Sequence, residues 1–107
     1  MIQAVDAAAE LLKSLSGRSR LALLCHLCEG EKSVGELARL AGVRETAASQ
    51  QLALLRKDGI VAARRSGQTI FYSLCSERAT RLLETLHQLF CEIPAPVRRT
   101  EEKEVQP

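Results

Sequence analysis

Aromatic groups are scarce in this sequence: its 107 residues hold no tryptophan, one tyrosine and two phenylalanines. Three rings, Phe71, Tyr72 and Phe90, are too few for the stacked platforms on which single-stranded nucleic acid is held. No apolar run approaches the roughly 18 residues of a membrane span. The opening Met1-Ile-Gln-Ala-Val-Asp6 lacks the basic segment that begins a secretory signal. Membrane insertion and secretion are therefore disfavoured, and the cytoplasm is the expected location. There is no internal repeat and no low-complexity block. Proline is confined to the stretch from Pro94 to Pro107, which has almost no apolar side chains and is expected to be a disordered tail.

What is present favours one small, mostly helical domain over residues 1–93. The 46% of hydrophobic residues is dominated by Leu and Ala rather than Val and Ile, a helix-forming bias. A chain this short builds a thin core unless a partner helps. Net charge is only +2, but its distribution is uneven. Residues 44–68 hold five basic side chains (Arg44, Arg56, Lys57, Arg64 and Arg65) against two acidic ones, Glu45 and Asp58. A local basic segment is the electrostatic footprint of a phosphate-binding surface, although a solvated face has the same composition.

Apolar spacing predicts five helices and one hairpin. The first covers 3–15 and stops at Gly17. The second, over 18–28, is apolar on most faces and is expected to be buried. Ser33-Val-Gly-Glu36 is a capping box that opens a helix to about Ala41, closed by Gly42. Another helix runs from about Glu45 to Lys57 and ends at Gly59. The period then changes to two: 60–65 and 69–74 flank Ser66-Gly67-Gln68, a hairpin with a glycine turn. Ser76 caps a last helix to about Glu92. Its Leu82, Leu83, Leu86, Leu89 and Phe90 cover more than one face, so a second subunit is expected to cover part of it.

Two short helices around Gly42-Val-Arg44, followed by a basic hairpin, make a winged helix-turn-helix. In that motif the second helix enters the major groove with its N-terminal half against base edges. Thr46, Ala47, Ser49, Gln50 and Gln51 fall on that half. Gln pairs bidentately with adenine, Ser and Thr reach bases or phosphates, and Ala meets a thymine methyl. Arg56, Lys57, Arg64 and Arg65 are expected to contact phosphates or the minor groove. Arg44 is grouped with them, at a position where relatives often carry a small or capping residue, which leaves the start of the recognition helix open.

The strings Ser33-Val-Gly-Glu-Leu-Ala-Arg-Leu-Ala-Gly-Val43, Ala48-Ser-Gln-Gln-Leu-Ala-Leu-Leu-Arg-Lys-Asp-Gly-Ile-Val61 and Ile70-Phe-Tyr-Ser-Leu74 go further. They resemble the ArsR family of bacterial dimeric repressors over about residues 7–91. Leu24-Cys-His-Leu-Cys-Glu-Gly-Glu-Lys-Ser-Val-Gly-Glu-Leu37 and Leu86-His-Gln-Leu-Phe-Cys91 are similar to its sulfide- and persulfide-responsive (BigR- and SqrR-like) branch, with HlyU-type activators close by. The resemblance implies a homodimer joined through terminal helices, double-stranded operator DNA as partner, and Cys25 and Cys91 as paired sensing thiols for persulfide or polysulfide effectors. It implies no enzyme activity and no cofactor. The metal-sensing branches differ: this chain has Glu36-Leu37-Ala38-Arg39-Leu40 where their third helix carries a Cys-x-Cys pair. It has Ser76-Glu-Arg-Ala-Thr80 where their last helix carries Asp-x-His.

The residues leave other thiol readings open. Cys25-x-x-Cys28 matches a redox or zinc-ligand spacing, but it lies at the far end of a helix rather than at the N-terminus, where a helix dipole favours thiolate. Cys25, Cys28, His87 and Cys91 together would make a Cys3His zinc set. That set is the alternative expectation, a metal-responsive repressor, beside a general oxidant-responsive one. Cys28 and Cys75 have no role in the resembled branch.

Overall fold

The computed structural model describes residues 2–90; Met1, Cys91 and the tail expected over 94–107 lie outside the described residues. The order is α1 (Ile2–Leu15), α2 (Arg18–Leu27), β1 (Lys32–Ser33), α3 (Val34–Ala41), α4 (Glu45–Lys57), β2 (Val61–Ser66), β3 (Thr69–Leu74) and α5 (Glu77–Phe90). It is a winged helix, mainly helical, with each expected helix within a residue or two of its anticipated start.

The core forms where the apolar stripes of α2, α3, α4 and α5 meet the base of the hairpin. Leu23, Leu24, Leu37, Leu52, Leu55, Leu83 and Val61 are fully enclosed there. Burying each such side chain contributes about 1.5–3 kcal/mol, so these few positions carry much of the fold. By contrast α1 buries only Leu15 and leaves Ile2, Val5 and Leu12 more than half exposed.

Between α3 and α4 the chain turns at Gly42, whose φ of 72° is left-handed. Its amide bonds back to the Arg39 carbonyl at 3.2 Å, and the Val43 amide to that of Ala38 at 3.0 Å, which satisfies carbonyls that the ended helix leaves open. At the other end of α3 only the serine half of the expected capping box forms among the described residues: the Glu36 amide donates to Ser33 Oγ at 3.2 Å. Ser76 caps α5 in the same way, accepting from the Ala79 amide at 3.1 Å.

The hairpin is antiparallel with Ser66 opposite Thr69 and Val61 opposite Leu74. Its loop is therefore the two residues Gly67-Gln68, one fewer than expected, and Gly67 supplies the positive φ, 63°, that such tight loops require. The two-stranded wing is extended by a strand that the sequence did not signal. In β1, Lys32 pairs with Tyr72 and Ser33 with Phe71, giving a sheet in the order β1-β3-β2. The chain between α2 and α3 is thus fastened to the wing's inner strand.

Candidate DNA-binding face and thiol cluster

On α4, Ala48, Leu52 and Leu55 point into the core. At 100° per residue the opposite, outermost line is Thr46, Gln50, Ala53 and Lys57, with Ser49 and Leu54 flanking it. All six are exposed, as are Arg44, Ala47 and Arg56. The start of the helix, open from sequence, is Glu45: Arg44 is the N-cap, extended at φ −70° and ψ 148°, and its side chain makes no cap bond. Glu45 in the first turn instead places an acid at the positive end of the helix dipole.

Gln51 stands apart from the other expected base readers. It is half-buried, and its Oε1 accepts from Arg20 Nε at 2.9 Å. Arg20 Nη1 also donates to the Ser14 carbonyl at 3.0 Å, while Ser14 Oγ donates to Asp58 Oδ2 at 3.0 Å. The α1–α2 corner is thereby tied to the middle and the C-terminal end of α4. No sequence signal announces this tie, because Arg20 and Gln51 lie 31 residues apart and either alone reads as a surface side chain.

On the wing, Arg65 is exposed next to the tip. Arg64 is engaged: Nη2 and Nε donate to the two carboxylate oxygens of Glu31 at 2.7 and 3.0 Å. Its guanidinium also lies 4.7 Å from the centroid of the Phe71 ring. The pairing holds the Glu31 carboxyl below and the Arg64 guanidinium above their ordinary pKa values, chiefly through the hydrogen bonds.

Two of the three described thiols, Cys25 and Cys28, lie at the end of α2. Cys25 lies in its last turn and Cys28 is its C-cap; both are half-buried, and Cys75 is exposed. Burial pushes the Cys28 thiol up to about 11, with Cys25, Glu84 and Glu29 adding to the effect. A depression of about 460 Å³ separates this end of α2 from α5, with Cys28 and Glu29 on one side and Glu84, His87 and Gln88 on the other. His87 Nδ1 is buried without a hydrogen-bond partner among the described residues. No three Cys, His, Asp or Glu side chains among the described residues converge as a metal site. Cys25, Cys28 and His87 therefore do not assemble as three-quarters of the Cys3His set, whose fourth member, Cys91, lies outside the described residues. Nor is the Cys25-x-x-Cys28 pair at a helix N-terminus with a preceding strand, the setting of a thiol oxidoreductase.

No helix among the described residues is long and apolar enough to cross a membrane. Residues 17–63 match the family described as bacterial regulatory protein, arsR family. The biofilm growth-associated repressor of Agrobacterium fabrum is 48% identical over 81 residues, 76% of this chain and 69% of that protein. The transcriptional activator HlyU of Vibrio cholerae is 44% identical over 82 residues, 77% of this chain and 76% of its own. A structure of reduced HlyU from that organism superposes with a TM-score of 0.79 at 40% identity, covering 85% of this chain and 97% of that one. The transcriptional repressor BigR from Xylella fastidiosa gives 0.79 at 44% identity, covering 87% and 95%. A winged helix with an outward-facing α4 and relatives of this closeness lead to one conclusion: the chain belongs to the ArsR family and is a DNA-binding transcriptional regulator.

Proposed function

We propose that two copies of this chain hold a palindromic operator while their thiols are reduced. They leave it when Cys25 and Cys91 become bridged by reactive sulfur species, derepressing sulfide-detoxification genes. The observation that carries this reading is the depression between α5 and the C-cap of α2, three residues past Cys25, with Cys28 and Glu29 facing Glu84, His87 and Gln88. A sulfur link between those helices would change how they pack. Repression follows the names of the Agrobacterium and Xylella relatives, and a redox-dependent state fits a relative described in reduced form.

The chemistry balances without an added oxidant beyond the effector. One thiolate attacks the outer sulfur of a persulfide RSSH, taking that sulfur and expelling RS⁻. The second thiolate attacks the inner sulfur of the resulting cysteine persulfide, expels HS⁻ and closes a disulfide. Alternatively, two cysteine persulfides condense to a trisulfide with loss of hydrogen sulfide. Cys28 is a poor competitor, because a thiol raised to about 11 is almost wholly protonated at neutral pH.

The dimer rests on the apolar faces that the single chain leaves uncovered. Ile2, Val5 and Leu12 of α1 and Leu89 and Phe90 of α5 are 56–80% exposed. Pairing through them would set the spacing of the two α4 helices to half-sites about 34–36 Å apart, so a shift of α5 would misplace both.

The test is operator release by glutathione persulfide, followed with intact-mass spectrometry. Cys25→Ser and Cys91→Ser keep affinity when reduced and lose the response; Cys28→Ser and Cys75→Ser keep both. Wild type changes mass as a bridge requires, and reductant restores binding. Purified reduced protein that carries stoichiometric zinc and ignores persulfide would overturn the reading.

A further inference from the structure

The two arginines of the wing differ in what surrounds them. Arg65 is exposed, next to the tip, whereas Arg64 stands opposite Phe71 in the register with its guanidinium over that ring at 4.7 Å. The Nε–Nη2 edge of Arg64 is occupied by Glu31 in a two-point fork at 3.0 and 2.7 Å. Glu31 immediately precedes β1, the edge strand on the far side of β3. The side chains thus span the whole sheet, from one edge strand across the middle strand to the other.

We infer that Glu31 is a positioning residue for operator binding: it clamps Arg64 across Phe71, fixes the pose of the wing, and leaves Arg65, not Arg64, as the wing's phosphate contact. This rests on the reading that the wing meets DNA. Three physical points carry it. A two-stranded ribbon twists readily and is marginal alone, and β1, only two residues long, steadies it at its middle, where it pairs with Phe71 and Tyr72. A forked carboxylate–guanidinium pair fixes orientation as well as distance, and stacking on Phe71 commits the face of the guanidinium too. The carboxylate also offsets the charge that phosphate would otherwise attract, since it is held ionised by the hydrogen bonds from Arg64.

The experiment measures operator affinity of the full-length reduced protein over a range of salt concentrations. Each phosphate neutralised adds about 0.9 to the slope of log affinity against log salt. Arg65→Ala is expected to flatten the slope by about 1.8 for a symmetric dimer. Glu31→Ala and Arg64→Ala are expected to weaken binding about two- to fivefold, in the range of a good exposed ion pair, with the slope unchanged. E31R and R64E each weaken binding, and the E31R/R64E double variant regains it with the wild-type slope. A slope flattened by Arg64→Ala as much as by Arg65→Ala, or a double variant that regains nothing, overturns the clamp. A slope that Arg65→Ala does not move overturns the wing-contact reading itself and takes the clamp's part in DNA binding with it.

Discussion

Gln50 and Arg65 are both exposed to solvent but are expected to do different work on a duplex. A glutamine on the outer line of α4 is expected to read bases, so Gln50→Ala should lose about 1–3 kcal/mol per good contact on the operator and little on random DNA. Arg65→Ala should weaken both alike, because phosphate contacts carry no sequence information; paired titrations on the two DNAs check this. Cys28 makes a pH prediction. Its pKa is raised from 9.0 to about 11 in the folded chain, so the unfolded chain ionises first as pH rises. Stability is unaffected below pH 9 and falls between 9 and about 11, and this fall should be missing in Cys28→Ala when chemical denaturation is followed across that range. Over the same interval its alkylation rate should keep climbing steeply, whereas that of an ordinary thiol levels off above about pH 10.

At the scale of elements, the turn between α3 and α4 sets the angle at which the recognition helix is offered. Gly42→Ala meets no atom within 4 Å, so its cost is torsional, about 1–2 kcal/mol for a side chain held at positive φ. Urea denaturation should show that loss, while α4 keeps its contacts with DNA once folded. The helices were legible in the sequence because their signals are local: Ser33 and Ser76 as caps, Gly42 and Gly59 as stops, leucines at helical spacing. The wing was legible as well, through the change of period after Gly59. The strand Lys32–Ser33 was not, since two residues show no alternation and Ser33 already reads as a cap. The engagement of Gln51 by Arg20, and of Arg64 by Glu31, could not be read either. Polar identity and spacing placed both on the nucleic-acid face, but their partners lie 31 and 33 residues away, and no local pattern encodes such a pairing. The α2 end of the thiol cluster was legible only through Cys25 and Cys28. Glu84 and Gln88 carry no motif and enter through the packing of α5.

For the whole molecule, the uncovered faces of α1 and α5 predict the assembly. Val5→Asp with Leu12→Asp places two charges on an exposed apolar stripe that this subunit does not bury. The double variant should sediment as a folded monomer and bind a palindrome with roughly half the wild-type salt slope, since the slope follows the number of phosphates engaged. The short link between Cys28 and Glu31 has a further consequence. Three residues reach at most about 11 Å when fully extended, and the Glu29 and Gly30 amides bond back to the His26 and Leu27 carbonyls at 3.2 and 3.0 Å, so the tether is short and fastened to the helix end. A sulfur bridge that drags the end of α2 sideways would pull on Glu31, and through it on Arg64, in the same movement. Release of DNA would then begin within each subunit at its own wing, ahead of any rearrangement between subunits, and a dimer modified on one side only would already hold its operator by one hand.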